Sequence, residues 1–328
     1  MSMPDTPAPR KPPRLFWLYA PYAVAVVAAV AWSGLWWMLS VQTAQRMDDE
    51  AAVLRARGWS VAWGGRRIDG YPFRIDVVLN DPRLAEPSGW AVAAPQLKGE
   101  AFAYAPSHWV LVARQGLTLT LPGRGAVDIV GQALRASLDP GEGGGAPRIA
   151  IEGLKLALTP ASGAKPLPIL ACDHLGLYLR PLPGDQAEFQ LNLQGAIPAP
   201  GGLWSKIAPG LPMDVVWDQS LNHASALKGK TWPAAVRAWS AAGGILSLNH
   251  GEVSAAGVDL TFAAPQLRIG DDGRPEGALT MGVGRTGHAP GRVGDYLALA
   301  RTFKSQLRLE DGALLLGPFK IGSAPKVY

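Results

Sequence analysis

Residues 15–39 read LFWLYAPYAVAVVAAVAWSGLWWML and contain no charged side chain. As a helix rising ~1.5 Å per residue this run extends about 37 Å, against a hydrocarbon thickness of about 30 Å, so the sequence predicts a membrane span with some tilt. Phe16, Trp17, Tyr19 and Tyr22 stand at its start and Trp36 and Trp37 at its end, where the two headgroup levels favour amphipathic rings. Arg10, Lys11 and Arg14 precede the run, while Asp48, Asp49 and Glu50 follow it. The basic flank predicts a cytoplasmic N-terminus, and hence a single-span protein of the bacterial inner membrane with its bulk in the periplasm. A cleaved signal peptide competes with this reading, because Ala29-Val30-Ala31 has the small-x-small form of a cleavage site. The apolar run continues through Trp32 to Leu39, however, and cleavage would leave a greasy new terminus, which favours the permanent anchor.

Four segments follow from composition. Residues 1–14 hold Pro4, Pro7, Pro9, Pro12 and Pro13 without apolar period and are predicted to be a disordered cytoplasmic tail. Residues 15–39 are the span. Residues 40–57 lack Gly and Pro, carry good helix formers and stop at Gly58, so they are predicted to continue the helix off the bilayer. Too few apolar heptad positions fall there to favour a coiled-coil seam. Residues 58–328 form a β-rich periplasmic domain.

Within that domain the apolar period is two: Ser60-Val61-Ala62-Trp63, Arg74-Ile75-Asp76-Val77 and Leu117-Thr118-Leu119-Thr120-Leu121. Such alternation means strands with one buried face. It recurs over 151–159, 175–180, 188–194, 245–249, 257–263 and 313–316, between turn residues, in a chain of 39 Gly and 29 Pro. The predicted fold class is therefore mainly β: an extended, curved antiparallel sheet, groove-like or sandwich-like, with a few short helices. Thr231-Trp232-Pro233 followed by AAVRAWSAAGG predicts a short helix over 232–242, and 293–304 a second, both packing on the sheet as lids or end caps. Ala93-Ala94-Pro95-Gln96-Leu97-Lys98 is nearly repeated as Ala263-Ala264-Pro265-Gln266-Leu267-Arg268. Two related halves would explain the echo, and so would coincidence in an Ala-rich chain.

Motifs that carry chemistry are scarce. His108, His174, His223, His250 and His288 have no metal-ligand spacing, and Cys172 and His174 share a strand face with no further ligand near them. Cys172 is the lone cysteine, which excludes an intramolecular disulfide and reads as a small buried apolar residue. The Gly-rich stretch 141–145 is not followed by the lysine of a phosphate loop, and no nucleophile elbow or carboxylate pair is visible. The net charge is +5, of which residues 1–14 supply +2; the remainder is too dilute for a nucleic-acid footprint. No cofactor, metal or catalytic residue is predicted, and the chain reads as non-enzymatic. The conspicuous feature is tryptophan outside the span: Trp59, Trp63, Trp90, Trp109, Trp204, Trp217, Trp232 and Trp239. Rings of this size fill a core or line an apolar groove for lipid acyl chains.

Gly58-Trp59-Ser60-Val61-Ala62-Trp63, the element Gly70-Tyr71-Pro72-Phe73-Arg74, and the later AWSAAGGIL over 238–246 resemble a bacterial family known only as domain of unknown function 2125. The resemblance covers most of the chain after the anchor. It implies a membrane-anchored protein, mainly of alphaproteobacteria, without assigned activity. The layout is also similar to AsmA-like periplasmic proteins, which implies phospholipid handling in envelope maintenance by analogy of architecture alone. In residue terms, Gly70 and Pro72 set a turn that Tyr71 and Phe73 anchor, and Arg74 begins the outgoing strand. Three readings are thus expected in order: binding or shielding of phospholipid, then a tethered scaffold for another envelope protein, and third an enzyme whose site the sequence does not reveal.

Overall fold

The computed structural model describes residues 16–139, 147–202, 204–205, 208, 210–229, 231–255, 257–284, 303–324 and 326–328. The expected tail, with Arg10, Lys11 and Arg14, and the Gly-rich stretch 141–145 lie outside these residues. The predicted span and its extension are one element, α1 (Phe16–Ala56), about 60 Å long at ~1.5 Å per residue. No Gly or Pro interrupts it from Leu35 onward, and it stops where expected. The amide of Gly58 donates to Arg55 O at 2.9 Å and that of Trp59 to Leu54 O at 3.1 Å, a Schellman pattern that satisfies the last carbonyls. Its first half packs against almost nothing: Val24, Val26, Val27 and Val30 are exposed, and α1 is the one described helix long and apolar enough to cross a membrane.

The body is a single antiparallel up-and-down sheet of twenty described strands. Ten of them are halves of five longer ones. β1 (Ser60–Ala62) and β2 (Gly65–Asp69) run on from each other, as do β3 (Arg74–Asn80) with β4 (Arg83–Ala85) and β5 (Ala91–Ala93) with β6 (Gln96–Phe102). The same holds for β7 (Ala105–Val112) with β8 (Leu117–Leu121), and for β9 (Gly125–Val130) with β10 (Ala133–Asp139). Every break falls at one level of the ladder. Residues 63–64 oppose 81–82, which oppose 94–95, then 113–116, then 131–132, as the flanking register shows. β11 (Arg148–Pro160) meets both ends of the last pair, β10 through Leu154 and β9 from Ala157.

Sequence chemistry explains this crease. Pro82 and Pro95 have no amide to donate to a ladder, and prolines are confined to such irregularities. Asp81 (φ 48°) and Lys155 (φ 51°) are left-handed there, a conformation that bends a strand. The crease stays closed through other bonds, Asp81 N to Pro95 O at 2.9 Å and Gln132 N to Leu154 O at 2.9 Å. Pro265, the second member of the repeated hexapeptide, also sits at an irregularity, the register shift between Ala263 and Leu267. Both copies thus do the same local work.

Beyond β11 the strands lengthen into a plain meander: β12 (Ile169–Leu182), β13 (Gln186–Pro198), β14 (Met213–Leu221), β15 (Leu246–Ala255), β16 (Val258–Ile269), β17 (Pro275–Gly284) and β18 (Phe303–Glu310). β19 (Ala313–Leu316) and β20 (Phe319–Ser323) close the far edge. Here the apolar face is filled: Leu156, Leu193, Val215 and Val253 form a core with Ala208, and Trp204 packs on it from the β13–β14 connection. α2 (Trp232–Ala241) seats Val236 and Trp239 against Ile269 at one end of the sheet. The second helix expected at 293–304 falls outside the described residues up to 302, and Phe303 and Lys304 open β18 instead. Their alternating apolar residues belong to a strand period that the preceding run obscured.

Candidate functional site

The crease creates the site. One cavity of about 530 Å³ is lined from both sides of it: Val61, Leu84, Val92 and Leu117 come from the outer half-strands β1, β4, β5 and β8. Leu79, Leu97, Leu111, Leu134 and Ile151 come from β3, β6, β7, β10 and β11. Residues of both halves face one space because the sheet is concave along the crease. The last turns of α1 form the remaining wall, with Met47, Glu50, Ala51 and Leu54.

The space continues toward the apolar end of α1. A second cavity of about 200 Å³ shares Met47, Leu79, Leu97, Leu111 and adds Val77 and Trp109. A third, of about 320 Å³, shares Met47 and Trp109 and reaches Leu39, the last residue of the charge-free run. The result is a trough that runs from the end of the charge-free run along α1 to β11. Leu84 and Val92 remain exposed along it, so its side is open. Glu50, Arg83 and Arg135 are the charged residues of the large cavity's lining, and Arg135 is held by Glu152 at 2.6 Å.

Charge clips hold α1 in place over the trough. The guanidinium of Arg66 on β2 donates to both oxygens of Asp48, at 2.8 and 2.9 Å, and to Ala44 O. That hydrogen bonding holds the Asp48 carboxyl below its ordinary pKa. Arg55 donates to Val61 O, and both Arg55 and Arg66 lie over the Trp63 ring, 5.7 and 5.8 Å from its centroid. Trp63 therefore lines the trough as the seat of two cations that fix its wall.

The six tryptophans singled out for a groove or core are not brought together. Trp63 and Trp109 line the trough. Trp204 and Trp217 pack on the closed core, the latter 6.3 Å from Phe262. Trp59 sits half-buried at the stop of α1, and Trp90 is exposed on a separate shallow depression shared with Trp232. The large cavity's lining is mostly Leu and Ala, whose signal was the strand alternation itself.

The Gly70–Arg74 element has a different place. It is the β2–β3 turn and is bound to α1: the Trp32 indole donates to Pro72 O at 2.8 Å and the Trp36 indole to Arg74 O at 2.7 Å. Gly70 adopts φ 99°, and a Cβ there would lie 2.6 Å from Arg74 O, so only glycine fits. Arg74 leaves the turn into a network with Asp76, Lys98 and Glu100 on the opposite face of the sheet from the trough. Hydrogen bonds to Glu100 and Asp76 raise the Lys98 pKa. Cys172 is buried in the closed core, where desolvation raises its thiol pKa. Among the described residues no group of three His, Cys, Asp or Glu side chains is placed to hold a metal.

The model of the family described as an uncharacterized protein conserved in bacteria, DUF2125, matches residues 36–289. No curated protein and no solved structure matches the chain.

Proposed function

The chain belongs to the DUF2125 family, which brings no activity with it, and on the geometry of the trough we propose a non-enzymatic protein that shields lipid acyl chains beside the bacterial inner membrane. In this reading α1 is the anchor, the basic flank keeps residues 1–14 in the cytoplasm, and the β-rich body is periplasmic. The observation that carries it is continuity: an apolar trough begins at Leu39, where the charge-free run ends, and extends along the crease. A volume of about 530 Å³ is within the ~300–1,000 Å³ of ligand sites, but such sites place several convergent polar groups to orient a substrate. Apart from Glu50, Arg83 and Arg135 this lining is apolar, which suits a chain of methylenes and gives little grip on a polar reactant. Envelope maintenance is the process such shielding serves.

The test uses the full-length chain in phosphatidylethanolamine vesicles doped with a lipid that carries a diazirine on its acyl chain. Photolysis and peptide mapping are expected to place crosslinks on β6, β7, β10 and β11 as well as on α1. Crosslinks confined to the first half of α1 would mean that lipid does not enter the trough. A tethered scaffold is the second reading, favoured by the exposed Leu316, Phe319 and Ile321 on the far edge hairpin, an edge open to pairing with another chain.

A further inference from the structure

Two hairpin turns on the α1 side carry aromatic rings that folding leaves uncovered. Tyr71 and Phe73 in the β2–β3 turn are 57% and 64% exposed, and Phe102 and Tyr104 at the β6–β7 turn 49% and 70%. Phe102 stacks on Tyr104 at 5.0 Å, and Ala103 N donates to Phe73 O at 2.9 Å. The turns thus make one aromatic rim.

The rim is fixed to the apolar part of α1. Besides the Trp32 and Trp36 indole bonds, the Ser33 hydroxyl lies 2.9 Å from the Tyr71 hydroxyl, and Trp36 meets the Tyr71 ring edge-on at 5.5 Å. Counting back from Leu39 at ~1.5 Å per residue, Trp36 lies about 5 Å and Trp32 about 10 Å inside the end of the charge-free run. That is the depth of the boundary between headgroups and acyl chains, where apolar faces lodge about 5–10 Å deep.

Four of the turn's carbonyls are met within the protein. Gly70 O accepts from Arg74 N at 2.9 Å, and the carbonyls of Pro72, Phe73 and Arg74 accept from Trp32, Ala103 and Trp36. Pro72 has no amide hydrogen to satisfy. Carbonyls met in this way lower the cost of holding irregular backbone at membrane depth. Charge resumes one step outward, where Arg74 pairs with Asp76 and Glu100.

We propose that the β2–β3 and β6–β7 turns insert into the leaflet on the body's side, with Phe73, Phe102 and Tyr104 at the headgroup–acyl boundary. The insertion rests on the reading of α1 as a membrane span. A bilayer, and not a second protein, is the occupant because the helix that crosses it sets the height of the rim. Insertion also seats the near end of the trough, lined by Leu39 and Pro106, beside the acyl chains.

The experiment places one environment-sensitive fluorophore on the full-length chain in phosphatidylethanolamine–phosphatidylglycerol vesicles, through Val27→Cys, Phe73→Cys, Tyr104→Cys or, at the opposite end of the sheet, the exposed Ser162→Cys. Buried Cys172 stays, and the parent chain is the labelling blank. Lipids bearing a nitroxide near the headgroup or near the chain end act as quenchers. The probes at 73 and 104 are expected to be quenched at least twofold more by the shallow nitroxide than by the deep one. The probe at 27 is expected to respond to the deep nitroxide, and that at 162 to neither. Probes at 73 and 104 as unquenched as 162, with 27 quenched, overturn the insertion and leave the span standing. An unquenched probe at 27 removes both.

Discussion

At the scale of single residues, a few positions carry conformations that no neighbour could supply for them. Gly70 holds φ 99° with no room for a Cβ beside Arg74 O. Gly70→Ala is expected to cost about 2 kcal/mol, from the left-handed backbone and the clash together. The measurement is chemical denaturation of the detergent-solubilised chain, and the turn's indole bonds to Trp32 and Trp36 make tryptophan emission a direct monitor. Asp185 is a second such position. Its carboxylate accepts from the amide and the hydroxyl of Ser225, each at 2.8 Å, and these bonds, the backbone one first, lower its pKa from the ordinary 3.8. A depressed carboxylate lends support that is complete above its unfolded value and disappears as pH falls through the folded one. The 3₁₀ turn at Ala224–Ala226 is therefore expected to loosen below about pH 3.8, read as a rise in its amide exchange, and Asp185→Asn to show that loosening already at neutral pH. The β2–β3 motif was legible in the sequence as a turn, because Gly and Pro announce one. Its attachment to α1 was not, since the partners are some forty positions away.

At the scale of elements, α2 shows how local signals and burial combine. Thr231 accepts from Ala234 N as the N-cap, Pro233 stands in the first turn, and the amide of Gly244 donates to Trp239 O at 3.0 Å. Each was visible beforehand, so the helix was expected with bounds one residue from those found. What fixes it on the sheet is Trp239, 3% exposed, whose indole donates to Asn222 O at 2.6 Å. Thr231→Ala is expected to cost about 1 kcal/mol and Trp239→Ala about 3–5 kcal/mol, both by thermal or urea unfolding. The larger figure reflects the cavity left between α2 and Ile269. Half-strands β4 and β5 were missed for a complementary reason: three residues beside a Pro present too few periods to register as strands.

For the whole molecule, the trough is the property that matters, and it belongs to no single element. Val92 lines it, is 40% exposed and sits on the short strand β5. Val92→Glu is expected to leave the unfolding midpoint within the range of surface substitutions, about 0.5 kcal/mol. It should lower acyl-probe crosslinking in the trough about tenfold, the effect of about 1.4 kcal/mol, because a carboxylate at the wall must be desolvated when a methylene chain arrives. The sequence by itself determined the apolar helix, its continuation to Gly58 and the antiparallel β class, because charge exclusion, helix stops and period-two alternation are local patterns. Only the tertiary structure decided that the breaks at residues 63–64, 81–82, 94–95 and 113–116 align across the ladder. Alignment depends on register, which is set by pairing between residues far apart in the chain. From that one coincidence of level come the crease, the concave apolar face and the place where α1 lies across it.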